Sequence, residues 1–271
     1  MPFQRTLAFI LLFVFPVISP AADDEDFDTQ MMRATVKISH DQSTATGFIL
    51  STAGGAKFVL VTAAHVLEKT PGDETSVIFR RRQDEGVYRK EPSRLAIRKS
   101  GTPLWTQHPT EDIAVISISP PAQCDLSAIP QDWLATDDVL RLKRVHPGQL
   151  LSCLGYPHRN EANDAGFAIL RGGPIGSFPL VPAARNKTFY VSMHTFEGDS
   201  GGPVYLSLPG RTTSDPETRL ILGLVSGQLF LDEEARMIYG TTKLRHRLGL
   251  GIVIQAAFIK ETLERLPAAE R

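Results

Sequence analysis

Short apolar or alternating runs, punctuated by Gly- and Pro-containing turns, dominate the chain from Ala34 onward and exclude most architectures. Ala34–Ile38, Thr46–Leu50, Lys57–Thr62, Ser76–Phe79, Arg94–Arg98 and Ile113–Ile118 each suit a strand. Gly54-Gly55, Pro71-Gly72-Asp73 and Gly101-Thr102-Pro103 supply the turns between them. Ser119–Gly148, with its tandem Pro120-Pro121, has little strand pattern and reads as a connection. A second set follows at Leu150–Leu154, Phe167–Leu170, Phe189–Val191, Gly202–Leu206, Leu220–Val225 and Gly251–Ile254. Many short strands without intervening helical periods predict an all-β chain of paired β-barrels rather than an α/β sheet.

Only the C-terminal stretch carries a convincing helical period. In Gln255–Leu266, Ala256, Ile259, Leu263 and Leu266 recur at three- or four-residue intervals, so one face can dock on a barrel. The layout is then an N-terminal barrel over 34–125, a connection over 126–148, a second barrel over 149–254 and a helix over 255–266. With 271 residues, 42% of them hydrophobic, the chain can bury a sizeable core. Its formal net charge of −1 gives no electrostatic reason to expect nucleic acid or an anionic membrane as partner.

Residues 1–21 have the pattern of a cleaved export signal. Arg5 supplies the positive end, and Leu7–Phe15 begins an apolar run too short to span a bilayer comfortably. Pro16 interrupts that run, and Ser19-Pro20-Ala21 offers the small residues of a signal peptidase site. The expected product is secreted or periplasmic, without stable membrane association; an uncleaved anchor is the alternative. It begins near Ala22 with an acidic segment over 22–33, where Asp23-Asp24-Glu25-Asp26 reads as solvated and mobile. Export permits a disulfide, and Cys124 and Cys153 are the two cysteines available. A bridge between them stabilises by about 3 kcal/mol on the chain-entropy model. Two independent buried thiols are the other reading.

Reactive chemistry concentrates in three places. Gly198-Asp199-Ser200-Gly201-Gly202-Pro203 surrounds a serine with residues lacking Cβ, so the backbone can turn sharply and approach a carbonyl closely. Thr62-Ala63-Ala64-His65 ends an apolar run in small residues before an imidazole. Asp112 opens the run Ile113–Ile118, and strand alternation points the adjacent Glu111 the other way. A serine hydroxyl is a poor nucleophile until a base takes its proton, and an imidazole is a useful base once a carboxylate fixes its tautomer. His65, Asp112 and Ser200 supply those three parts. The remaining histidines, His40, His108, His146, His158, His194 and His246, have no such context.

In order and surroundings these segments resemble the chymotrypsin-like (trypsin-like) serine proteases, a resemblance extending over nearly all of residues 34–266. It implies two six-stranded antiparallel barrels with the site in the cleft between them. It implies a serine endopeptidase acting on protein or peptide substrates through an acyl-enzyme, with no cofactor and no metal. By the same resemblance the N–H groups of Gly198 and Ser200 form the oxyanion hole. Ser226, Gly227 and Gln228 fall on the strand that pairs with an extended substrate. His194 falls at the floor of the side-chain pocket, where an acid in trypsin selects Lys or Arg.

Gly47-Phe48-Ile49, the His65 neighbourhood and Gly155-Tyr156-Pro157 are most similar to the bacterial HtrA-type branch. Two features depart from that branch: Asp199 stands where asparagine is usual, and a PDZ domain is not expected after Leu266. No Ile-Val-Gly-Gly-like sequence lies near the expected mature start, so Asp199 is expected to be held by another partner or by backbone donors rather than by a new α-amino group.

Other classes fit less well. Gly198–Gly202 also satisfies the nucleophile elbow of α/β-hydrolases, but strand-like Pro203–Leu206 follows where that fold needs a helix. A non-enzymatic peptide-binding module and an esterase using the same three residues are the remaining alternatives. Arg80-Arg81-Arg82, followed by Asp84 and Glu85, reads as a solvated strand edge. No cluster has zinc or calcium spacing.

Overall fold

The structure, a computed structural model, describes residues 26–41, 43–52, 55, 57–208, 217–237 and 240–267. The expected export signal and Asp23-Asp24-Glu25 lie outside these residues. Helix α1 (Phe27–Ala34) precedes β1 (Thr35–His40), β2 (Ser43–Thr52), β3 (Lys57–Thr62) and helix α2 (Ala64–Lys69). Strands β4 (Glu74–Arg82), β5 (Tyr88–Ala96), β6 (Arg98–Lys99), β7 (Thr102–Pro103), β8 (Thr106–Gln107) and β9 (Ala114–Ile118) complete the first half. Strand β10 (Ile129–Pro130) and helix α3 (Asp137–Leu142) occupy the connection. The second half contains β11 (Leu150–Gly155), β12 (Ile169–Pro174), β13 (Thr188–Val191) and β14 (Pro203–Leu208), then the long strands β15 (Thr218–Met237) and β16 (Gly240–Gln255), then helix α4 (Ala256–Leu263).

Two β-rich halves result, as the strand pattern predicts. The first sheet runs β5-β4-β1-β2-β3-β9-β8, and β10 joins β2 in parallel. The second runs β12-β11-β14-β15-β16-β13. Among the described residues the two sheets therefore have eight and six strands, not six and six, because β10 from the connection and the short β8 both join the first sheet. One core centres on Phe48, Leu50, Leu60 and Val115 of the first half and extends into the second through Leu154, Tyr205 and Leu224; the other lies within the second half around Cys153, Val204, Leu222 and Val253.

Both ends of the described chain tie the halves together. Helix α4 follows the last strand of the second half, yet Phe258, Ile259 and Leu263 bury against the first core. Its Phe258 ring meets His108 edge-on at 5.3 Å, and Glu261 reaches the His108 Nε2 at 3.2 Å. At the other end, the expected mobile acidic segment is partly a docked helix. Asp26 caps α1, its Oδ1 accepting from the Thr29 N–H at 2.9 Å, while Phe27, Met31 and Ala34 are buried. Phe27 lies edge-on to Trp133 and to Tyr205, each at 5.3 Å, so one aromatic ring joins the connection to the second half. Burying such a side chain is worth about 2–3 kcal/mol, enough to order a short amphipathic helix.

One further expectation is corrected and one open reading is decided. Arg80 is not at a solvated edge; it is buried, and its guanidinium donates to the carbonyls of Arg33 at 2.9 Å and Thr35 at 2.7 Å. These groups end α1, so the negative end of the helix dipole compensates the buried cation. The guanidinium also lies 4.5 Å from the centre of the Phe167 ring. Cys124 and Cys153 are free thiols, not a bridge. Cys124 packs against the first core and Cys153 belongs to the second, where burial pushes its thiol up to about 12.

Candidate active site

His65 is placed by the first turn of α2, not by the end of a strand. Nothing in the side chain of Ala63 caps that helix; the Asp112 carboxylate does so instead. Its Oδ1 accepts the His65 N–H at 2.8 Å while its Oδ2 lies 2.6 Å from the His65 Nδ1. One carboxylate therefore fixes both the backbone and the ring of the histidine, and a proton on Nδ1 leaves Nε2 as the basic nitrogen. Ser226 donates a third hydrogen bond, from Oγ to the same Oδ2 at 2.8 Å. Burial works to raise the Asp112 carboxyl, but the hydrogen bonds from the His65 ring and N–H, the attraction of His65 and the Ser226 hydroxyl outweigh it and hold the group below its ordinary value. Glu111 faces away, with its Oε1 2.6 Å from the Lys187 Nζ.

Ser200 stands on a loop anchored from both halves. Thr46 of β2 donates its N–H to the Ser200 carbonyl at 3.0 Å and its hydroxyl to the Gly198 carbonyl at 2.6 Å. On the other side, the Gly201 N–H donates to Val225 at 2.7 Å, and Val225 returns a bond to Gly202 at 2.9 Å. His65, Gly198 and Ser200 line the same open cavity of about 580 Å³.

The turn before Ser200 orients its N–H groups. Asp199 donates to the Phe196 carbonyl at 3.0 Å, and Gly198 takes φ +100°, the geometry of a type II turn. A side chain at 198 would be strained and would also overlap the Tyr156 carbonyl. Within the turn, the Glu197 carbonyl accepts from the His158 N–H at 2.7 Å. Because a planar trans peptide points its C=O and N–H in opposite directions, this bond turns the Gly198 N–H away from His158. Among the described residues, neither the Gly198 nor the Ser200 N–H donates to a protein acceptor. Two backbone donors are thus left for a ligand.

Asp199 is wholly buried, and its partner is one that sequence reasoning did not find. Arg171 of β12 binds it with both terminal nitrogens, Nη1 to Oδ2 at 2.8 Å and Nη2 to Oδ1 at 2.5 Å. The Phe196 N–H adds a third bond at 2.7 Å. Burial alone would lower the Arg171 pKa, but the Asp199 hydrogen bonds and charge raise it. Gly155 is required alongside, since a Cβ there would overlap the Asp199 carboxylate. No local signal marks Arg171, because it becomes Asp199's neighbour only through the pairing of β11 with β12 and β14.

The residues expected to contact substrate divide. Ser226 turns its hydroxyl to Asp112, and the Gly227 carbonyl accepts from the Thr195 hydroxyl at 3.2 Å. Gln228 pairs with Gly251 and is partly exposed. His194 does not floor an enclosed pocket: it is exposed, its ring stacked 6.3 Å from Phe196 and placed where a Cβ on Gly249 would come within 3.3 Å of it. Among the described residues no His, Cys, Asp or Glu group is arranged to hold a metal.

A fold of two β-rich halves, with a histidine–carboxylate pair and a glycine-flanked serine on one cavity, defines a class. Residues 45–210 match the family model of the trypsin-like peptidase domain, and the chain belongs to that family. No curated protein matches the sequence. Among solved structures, the chain is similar to the Rv3671c protease of M. tuberculosis in an inactive form, at 17% identity and TM-score 0.46, over 89% of this chain and 92% of that one. It is also similar to the protease Anisep from Arthrobacter nicotinovorans, at 14% identity and TM-score 0.48, over 85% and 94%. A thermostable serine protease, AL20, from an extremophilic microorganism matches at 14% identity and TM-score 0.45, over 86% and 95%.

Proposed function

We propose that this peptidase-family chain is a serine endopeptidase in which Ser200 is the nucleophile, His65 the general base and acid, and Asp112 the group that orients and stabilises His65. The single observation carrying this reading is the double engagement of His65 by Asp112, which presents a basic Nε2 on the cavity that Ser200 also lines. The Ser200 Oγ attacks the scissile carbonyl carbon as its proton passes to the His65 Nε2. The oxyanion so formed is received by the N–H groups of Gly198 and Ser200. Collapse of the tetrahedral adduct breaks the C–N bond; the proton moves from His65 to the departing amine and leaves an acyl-enzyme. Water, deprotonated by His65, then hydrolyses the ester and restores Ser200. Substrate lies along Ser226–Gln228, and no cofactor takes part.

We further propose export to a secreted or periplasmic location, on the Arg5, Leu7–Phe15 and Ser19-Pro20-Ala21 pattern. Ser200→Ala tests the chemistry: casein hydrolysis by purified protein and labelling by a fluorophosphonate probe both disappear. Wild-type hydrolysis by that variant would sink the assignment, and a wild-type protein that cleaves simple esters but no peptide would favour the esterase.

A further inference from the structure

The cavity beside Ser200 carries chemistry that acyl transfer does not use. None of its lining comes from Ser226–Gln228; that strand lies on the other side of His65, where Ser226 meets Asp112. A peptide laid along Ser226–Gln228 with its scissile carbonyl at Ser200 therefore directs its amine half into this cavity. Helix α2 lines it with Val66 and Lys69, and the turn that bears His158 and Arg159 lines it as well.

The charges on these walls are unequal. Lys69 is exposed and has no ion-pair partner among the described residues. Arg159, engaged by a partner of its own, also lines the cavity, and the Arg247 guanidinium lies 3.5 Å from the His158 Nε2. Among the described lining residues Glu197 is the single carboxylate, and it sits at the Ser200 end. Asp41, 3.5 Å from the lining His40, projects outward with 85% of its side chain exposed. At about 580 Å³ the space is of the size of ordinary ligand-binding clefts.

We propose that this cavity is the leaving-group side of the binding site and selects protein substrates with an acidic side chain in the first three positions after the scissile bond, Lys69 being the selecting residue. The proposal rests on the peptidase reading above and extends it to a substrate class. Exposed charge pairs are individually weak, so attraction of an acid and repulsion of a base together give roughly a tenfold preference.

The test uses the full mature chain and internally quenched peptides identical up to the scissile bond, with Asp, Ala or Lys at each of the next three positions in turn. At low ionic strength kcat/KM for Asp exceeds that for Lys by about tenfold at one or more positions, and added salt near 0.5 M narrows the ratio. Lys69→Glu inverts the ratio and Glu197→Gln widens it, with thermal melts verifying that both variants are folded. Equal rates for Asp and Lys at all three positions, or a ratio unmoved by Lys69→Glu in folded protein, overturn the proposal. Absence of cleavage of every peptide together with absence of Ser200 labelling removes the peptidase reading, and this one with it.

Discussion

Replacing Arg171 with methionine would leave the Asp199 carboxylate buried without its guanidinium. The two short bonds to Nη1 and Nη2 vanish, and the Phe196 N–H at 2.7 Å remains as the partner still in place. Deleting one member of a buried ion pair costs about 3–5 kcal/mol, and the Arg171 side chain keeps 20% of its surface exposed, so the lower end applies, about 3 kcal/mol. Asp199 is the last residue of the turn that orients the Gly198 N–H, so its release also displaces the candidate oxyanion donors. Loss of one such donor lowers kcat by roughly 10²–10³. Urea unfolding measures the first effect; kcat/KM on a peptide and the rate of fluorophosphonate labelling measure the second. Arg171→Met combined with Asp199→Asn removes the stranded charge and should recover part of the stability, giving a coupling of at least about 1 kcal/mol in the double-mutant cycle. Because the partner of Asp199 is a side chain, an extended or acetylated N-terminus leaves activity unchanged. An Arg171→Met protein within about 0.5 kcal/mol of the parent, with unaltered labelling, would refute this account of the loop.

Three further outcomes follow from the same geometry. Ser226→Ala removes one hydrogen bond to a charged carboxylate and is expected to lower kcat/KM by roughly tenfold, about 1.4 kcal/mol, with little change in KM; unchanged kcat would reject a supporting role for its hydroxyl. Gly198→Ala places a Cβ at φ +100° against the Tyr156 carbonyl, so labelling of Ser200 slows by about 10²-fold or more, read by active-site titration. Glu161 is opposed by burial but held below its ordinary 4.5 by hydrogen bonds from Lys37 and Lys90. Its depressed folded pKa contributes stability that is present above the unfolded value and lost as pH falls through the folded one. Glu161→Gln should therefore flatten the acid limb of a stability–pH curve below pH 4.5 and leave its slope near neutrality alone; an identical acid limb would contradict the assignment.

How far the sequence could be read depended on whether the relevant physics was local. Lys57–Thr62 and Leu150–Leu154 were legible as strands because alternation or an apolar run needs only neighbouring residues. Long β15 and β16 were legible only near Leu220–Val225 and Gly251–Ile254. Beyond those segments the strands carry charges, and their pairing becomes visible only when the register sets Asp232 opposite Arg245 and Glu234 opposite Lys243. Arg80 misled for the opposite reason. A run of arginines is a surface pattern, and nothing nearby in the chain announces that the carbonyls ending α1 will surround its first member.

The candidate site divides along the same line. Glycines around Ser200, small residues before His65 and an aspartate opening a strand are properties of short segments, and the amino-acid sequence by itself determines them. It also determines that the chain can build two β-rich halves and a closing helix. Tertiary structure alone decided that Asp112 caps the helix bearing His65 and that Ser226 supports Asp112. It alone decided that Arg171 holds Asp199, that α4 completes the core of the half it does not follow, and that the two cysteines stay apart. Each of those contacts joins residues distant in the chain, and their meeting depends on strand register and on how the halves dock, which no local pattern of side chains encodes.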